Sequence, residues 1–139
     1  MTLTPISCGC SKLRRASRVI AGIYDRALAG TGLTIVQFGV LRTLRRLGPT
    51  ALTPLGEAMG YDRTTLTRLL RPLEAAGWTE SRGCDDRRAR IVAVTAAGEG
   101  AIARAEPAWS AAQDLLARQM GDDWPALFAL LDRVEELRA

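Results

Sequence analysis

One stretch constrains the chain more than any other: Thr53 to Val94, TPLGEAMGYDRTTLTRLLRPLEAAGWTESRGCDDRRARIVAV. Within it, Leu66, Leu69, Leu70 and Leu73 recur at the spacing of one helical face. Asp62 is placed to cap that helix, because a carboxylate accepts from the free N–H groups of a first turn. Gly77 is placed to end it. Upstream, Thr53-Pro54 reads as an N-cap followed by an N1 proline, opening a short helix through Leu55, Ala58 and Met59. Gly60 supplies the turn between the two helices. Downstream, Trp78–Arg82 and Ala89–Val94 read as a pair of strands, with Gly83–Arg88 at the ribbon tip. Helix, turn, helix and ribbon in that order make a helix-turn-helix with a wing, an arrangement that reads DNA.

The outer side of the second helix supports that use. At about 100° per residue, Thr64, Thr67, Arg68, Arg71 and Ala75 fall opposite the leucines, with Arg63 and Thr65 beside them. Arginine forks suit phosphates and guanine edges, and threonine reaches a base or phosphate without blocking approach. We therefore take Arg63, Thr64, Thr65, Thr67, Arg68 and Arg71 as the candidate reading residues. The plain alternative is a solvated Arg/Thr face on an ordinary amphipathic helix. At the ribbon tip, Asp86, Arg87, Arg88 and Arg90 are the candidate wing contacts, since a narrow minor groove attracts arginine and a neighbouring carboxylate steadies its fork. A winged-helix module that binds proteins and never DNA is the competing function, but its exposed helix would tend to carry acids or large apolar residues.

These residues resemble the MarR family of winged-helix bacterial transcription regulators. The resemblance rests on GLTIVQFGVL (Gly32–Leu41), LTPLGEAMGYDRTTLTRLLRPLEAAGW (Leu52–Trp78) and DDRRARIVAVTAAG (Asp85–Gly98), and extends over essentially the whole chain. It implies that Asp86-Arg87-Arg88 is the family's Asp-x-Arg wing motif, with Arg88 entering the minor groove and Asp86 steadying it. It also implies a two-fold dimer built from the N- and C-terminal helices, and release from DNA by small aromatic or phenolic ligands or by oxidants. The departure is Pro72 inside the reading helix, which removes a backbone hydrogen bond and should bend the last turns.

Composition agrees with a single compact unit. The chain has 139 residues, 47% of them apolar, and a net charge of +4. Lys12 is the one lysine, so the cationic surface is almost wholly arginine. Residues 1–46 carry eight basic residues against one acid, whereas residues 95–139 carry eight acids against four basic ones. A basic front and an acidic rear favour an oriented approach to a polyanion. No apolar run is long enough to span a membrane, and MTLTPISCGC lacks the pattern of a secretory signal, so a cytoplasmic location is expected. With no histidine and three scattered cysteines, no metal site, cofactor or catalytic constellation is expected, and the chain reads as a non-enzyme.

The remaining segments frame the reading unit. From about Ser11 a helix runs with Leu13, Ala16, Ile20, Ile23, Tyr24, Ala27 and Leu28 on one face, stopped by Gly30-Thr31-Gly32. Thr34 caps the next helix, through Ile35, Phe38, Leu41, Leu44 and Leu47 to Gly48-Pro49; its Arg42, Arg45 and Arg46 read as a solvated face, with phosphate contact the alternative. Thr95 caps a long helix with Ile102, Ala105, Trp109, Ala112, Leu116 and Met120 in a 3-4 rhythm, kinked at Pro107. Gly121-Asp122 breaks it before a last helix. The expected fold is mostly α (α+β), with about six helices and a two- to three-stranded wing sheet. Residues 1–33 form an N-terminal dimerisation helix, 34–95 the winged helix-turn-helix, and 96–139 C-terminal dimerisation helices. The partners expected are a pseudo-palindromic double-stranded operator, a second copy of the chain, and an aromatic or peroxide effector. The candidate effector pocket is Tyr24, Ile35, Phe38 and Trp109. Similarity to the organic-hydroperoxide-sensing branch makes Cys10 and Tyr24 candidates for redox sensing, although Ile35 stands where that branch has a further tyrosine. The competing reading makes Cys10 a small, partly buried thiol at the dimer contact.

Overall fold

The computed structural model describes residues 8–83 and 90–138. Within them six helices and three short strands follow in order: α1 (Gly9–Leu28), α2 (Ile35–Leu47), β1 (Thr50–Ala51), α3 (Leu52–Met59), α4 (Arg63–Ala75), β2 (Thr79–Arg82), β3 (Ile91–Val94), α5 (Ala96–Met120) and α6 (Asp123–Glu135). The expected mostly helical winged fold is what forms.

The helix starts follow local chemistry. Thr34 opens α2 with a reciprocal capping box: its hydroxyl accepts from the Gln37 N–H at 3.1 Å, and the Gln37 side chain accepts from the Thr34 N–H at 3.0 Å. Thr95 caps α5 by accepting from the Gly98 N–H at 3.0 Å. Two boundaries differ from expectation. Helix α1 begins at Gly9, with Cys8 at the N-cap. Helix α3 begins at Leu52 behind Ala51, so Thr53 lies inside it and Pro54 is its third residue. The proline is harmless there, because the first four N–H groups of a helix have no intrahelical acceptor to lose.

Strands β1 and β2 flank β3, both antiparallel, with Thr50 and Ser81 opposite Val92. The short strand β1, ahead of α3, is the third strand of the wing sheet. Val92 and Thr79 are buried while Glu80 and Arg82 face outward, which is the alternation of a one-sided sheet. Beneath the sheet lies the main core, in which Phe38, Leu41, Leu44, Leu55, Leu66 and Leu73 are almost wholly enclosed. Each contributes about 1.5–3 kcal/mol by leaving water. A second, smaller group joins Tyr24 to Ala112 and Leu116, and so packs α1 against the far half of α5. Ile35 and Trp109 touch both groups.

Outside these groups apolar surface remains bare. Leu13, Ala16 and Val19 of α1 are exposed, although the first two belong to its expected apolar face. Helix α6 buries no residue at all, and Phe128, Leu130 and Val134 are exposed. No helix among the described residues is long and apolar enough to cross a membrane.

Candidate nucleic-acid interface

Helix α4 is held at both ends by groups the sequence puts there. At its start the Asp62 carboxylate accepts from the Thr65 N–H at 2.7 Å. That bond, aided by the Thr65 side chain and the charge of Arg68, holds the Asp62 carboxyl below the usual carboxylate range. At its end Gly77 takes φ +78°, the Gly77 N–H donates to the Glu74 carbonyl at 3.0 Å, and the Trp78 N–H donates to the Leu73 carbonyl at 2.9 Å. This is a Schellman stop, which favours glycine because a Cβ is strained at that φ. Gly60 closes α3 in the left-handed region as well, so the turn into α4 is tight.

The leucine face is buried as the spacing predicts: Leu66 and Leu73 completely, Leu70 nearly so, and Leu69 partly. The opposite side faces out, with Arg63, Thr64, Arg68 and Arg71 exposed and Thr65 and Thr67 half-buried. Pro72 sits inside α4, and the helix continues through it to Ala75.

Between α4 and the ribbon runs a cleft of about 780 Å³. Arg63, Thr67 and Arg71 line one wall, and Ser81, Gly83 and Arg90 the other. Three arginines thus line one open groove, and arginine is a residue type suited to phosphate oxygens. Glu74 also lines it, an acid that the sequence reading of this face left out. Of the candidate wing residues, Arg90 is exposed beside β3. Asp86, Arg87 and Arg88 lie outside the described residues, as does Cys84.

The joint behind α4 was not foreseen. Besides capping its own helix, Thr95 donates its hydroxyl to the Gly77 carbonyl at 2.6 Å, and its N–H to the Trp78 carbonyl at 3.0 Å. Gly98 presses against the same carbonyl, where a Cβ would find no room. The end of the reading helix is thereby fastened to the first turn of α5. The sequence showed Thr95 as a cap and Gly98 as a glycine in a helix, and the second fact was the available clue.

A second cavity, of about 540 Å³, opens between α2 and α5. It brings together Ile35, Phe38 and Trp109 of the candidate effector pocket, with the Phe38 and Trp109 rings 5.7 Å apart. Tyr24 does not line it, being buried instead against Ala112 and Leu116, and burial pushes its phenol up. Arg42 does line it. Its guanidinium lies 4.1 Å from the Trp109 ring centre and 5.5 Å from that of Phe38, so this residue is stacked on aromatic faces rather than simply solvated. Arg42 follows Phe38 by four residues, one helical turn, and that spacing was a legible signal. Arg45 is also engaged, to Glu106 at 2.9 Å and Glu99 at 3.8 Å.

Cys10 is exposed in the first turn of α1. Tyr24 lies fourteen residues further along the same helix, about 21 Å at 1.5 Å per residue, so one chain does not bring the pair together. Cys8 occupies the N-cap without a cap hydrogen bond of standard geometry; the Ser11 amide and hydroxyl and the Cys10 amide still draw its thiol below the ordinary value. Among the described residues no cluster of ligating side chains fits a metal ion.

Similarity to known proteins agrees with this geometry. The MarR family model matches residues 33–89. YwoH of Bacillus subtilis, described as an uncharacterized HTH-type transcriptional regulator, is 30% identical over 88 residues, 63% of this chain and 64% of YwoH. The chain thus spans just under two thirds of that relative's length. The HTH-type transcriptional regulator PecS of Dickeya dadantii is 33% identical over 129 residues, 89% of this chain and 78% of PecS. The crystal structure of the M. tuberculosis transcriptional regulator MosR in complex with DNA matches with a TM-score of 0.83 at 33% identity, over 92% of this chain and 93% of MosR. With reading helix, wing sheet and flanking helices all in place, the chain belongs to the MarR family of winged-helix transcription regulators.

Proposed function

We propose that this protein binds double-stranded DNA in a sequence-specific way and acts as a repressor, as a homodimer on a pseudo-palindromic operator. The observation that carries this is the exposed Arg/Thr side of α4 facing a cleft shared with the wing and lined by Arg63, Arg71 and Arg90. A phosphate strand running through that cleft would leave α4 in the major groove on one side and the ribbon tip in the minor groove on the other. In this reading Arg63, Thr64, Thr65, Thr67, Arg68 and Arg71 meet the major groove, and Asp86, Arg87, Arg88 and Arg90 serve the wing. The DNA-bound state of MosR, a protein of the same fold at 33% identity, supports it.

Residues 34–95 are then the reading unit, and residues 1–33 and 96–139 its dimerisation arms. The bare faces of α1 and α6 support the dimer, since a single chain leaves Phe128, Leu130, Val134 and Leu137 in water. Two-fold symmetry sets the reading helices about one DNA turn apart, roughly 34 Å, and a ligand or oxidant that alters the arms releases the DNA by changing that spacing. The α2–α5 cavity is the effector site in this scheme.

A mobility-shift titration with a selected operator tests the reading. Removing a base-reading arginine costs about 1–3 kcal/mol, so Arg68→Ala and Arg71→Ala should weaken operator binding about 5- to 150-fold. Loss of preference for the operator should accompany it in at least one of the two. Wild-type affinity in both variants would place the reading surface elsewhere.

A further inference from the structure

One side chain joins the reading helix to the arm that follows the wing. The half-buried Thr95 hydroxyl accepts from the Gly98 N–H at 3.0 Å, which caps α5, and donates to the Gly77 carbonyl at 2.6 Å, just beyond the end of α4. Its main-chain N–H donates to the adjacent Trp78 carbonyl at 3.0 Å. Among the described residues, both hydrogen bonds between the Gly77-Trp78 stop and the start of α5 come from Thr95. A hydroxyl is donor and acceptor at once, so one oxygen serves the carbonyl end of one helix and the amide end of the next. Gly98 seats the joint from the α5 side, since a Cβ there would overlap the Trp78 carbonyl. Beyond this point α5 buries Ala101, Ile102 and Ala105 in the winged core, then Ala112 and Leu116 against Tyr24 of α1. Thr95 therefore sits where the direction of α4 and the direction of the arm are tied together.

We propose that Thr95 is a positioning residue for operator recognition: its hydroxyl fixes the angle of α4 on α5, and through α5 the half-site spacing that the protein accepts. The proposal rests on the two-fold reading above and adds the residue that holds the spacing. One base pair inserted between half-sites moves one of them by about 3.4 Å and turns it by about 35°. A joint without slack cannot follow that displacement, and the displaced helix loses its reading contacts. Without the donated bond, the stop of α4 keeps only the main-chain link to Trp78, and the helix can turn toward a displaced site. Cap and strut use one oxygen in different roles, so substitution separates them. Thr95→Asp keeps an acceptor to cap α5 but has no proton for the Gly77 carbonyl, whereas Thr95→Ser keeps both.

Fluorescence anisotropy on the full chain tests this, with a selected operator and the same duplex carrying one extra central base pair. Wild type and Thr95→Ser should prefer the selected spacing by about tenfold or more, the loss expected when base contacts of one helix fail. Thr95→Asp should bring the two duplexes within about threefold while melting close to wild type, because its cap survives. Thr95→Ala carries the same expectation for the ratio should the acid prevent folding. Thr34→Ala is the stability control: it breaks the capping box of α2, away from the joint, and should lower Tm while leaving the spacing ratio unchanged. A full spacing preference in the folded Asp or Ala variant, a lost preference in Thr95→Ser, or an equal loss in Thr34→Ala would each overturn the proposal. A wild type indifferent to spacing would overturn it together with the two-fold reading, whereas equal discrimination by wild type and Thr95→Asp removes the strut alone.

Discussion

Gly98 offers the sharpest test of how the reading helix is mounted. An added Cβ would meet the Trp78 carbonyl oxygen at 2.1 Å and Val94 Cγ1 at 2.7 Å. Neither neighbour is the loose end of a long side chain: one is backbone and the other a branched methyl on β3. Restoring even a 3.0 Å separation from the oxygen requires a shift of about 0.9 Å between α5 and the end of α4. That shift acts directly on the bonds from Thr95 to the Gly77 and Trp78 carbonyls, which are 2.6 Å and 3.0 Å long. Overpacking costs about 1–3 kcal/mol and each weakened hydrogen bond about 1 kcal/mol, giving about 3–5 kcal/mol for Gly98→Ala. With an unfolding entropy of roughly 2.1 cal/mol/K per residue, that lowers Tm by about 10–17 °C for a chain this long. Gly100→Ala is the matched control, two residues along α5, where the nearest atom to the new methyl is the tip of Arg104 at 3.5 Å. There alanine should gain about 0.5–1 kcal/mol from helix propensity alone. Thermal unfolding by circular dichroism at one fixed protein concentration reads both, because association would otherwise shift Tm. If Gly98→Ala melts at or above wild type, the α4–α5 joint is not packed as described.

Three further outcomes follow from the same geometry. Asp62 has its pKa lowered by its cap bond, so the stability it adds is fully present above the unfolded carboxylate value of about 3.9 and is lost as pH falls through the lower folded value. The Tm difference between wild type and Asp62→Ala should therefore be constant near neutrality and shrink in acid; a gap that widens below pH 4 contradicts the sign. The Asp25 carboxylate accepts from the Ile35 N–H at 2.7 Å and so ties α1 to the first turn of α2. Asp25→Ala should destabilise by about 1 kcal/mol in urea unfolding and Asp25→Asn by less, since the amide oxygen still accepts; equal losses would show that the bond is not the cause. The two readings of Cys10 separate on peroxide treatment: a sensor releases operator in wild type and not in Cys10→Ser, whereas a plain thiol leaves the two proteins alike.

What the sequence made legible is whatever is set by neighbours along the chain. Asp62, Thr34 and Thr95 cap the helices they precede, and the Leu66–Leu73 stripe turns inward, because caps and stripes depend on contacts within one or two turns. The cap of α3 lies two residues before the expected one because proline at any first-turn position is tolerated, so Pro54 marks the turn and not the residue. Contacts between distant segments were mostly illegible. The role of Gly98 depends on a carbonyl twenty residues upstream, and that of Asp25 on an amide across the α1–α2 turn. Arg42 looked like one of three surface cations because its aromatic partner Trp109 comes from another helix, although Phe38 was one turn away. At the interface itself, the side of α4 that faces out was readable from periodicity, Glu74 included, whereas the cleft it shares with Arg90 required the sheet to be in place.

The two hydrophobic groups share helix α5, and in the proposed dimer that sharing would determine where a movement of the arms is felt. The near half of α5 buries Ala101, Ile102 and Ala105 in the winged core, and the far half buries Ala112 and Leu116 against Tyr24 of α1. Pro107 lies between the halves and removes the backbone bond to the Ala103 carbonyl, which makes it the weakest point of the rod. On its near side the Thr95 and Gly98 contacts leave no slack between α5 and the end of α4. On its far side the junction consists of half-buried Ile35 and Trp109 beside an open cavity, a region with room to repack. In the proposed dimer a force on the arms would be absorbed between Pro107 and that cavity unless something filled the space. A ligand there would stiffen the softer half, and the rigid joint would then pass the displacement to Arg68 and Arg71 undiminished.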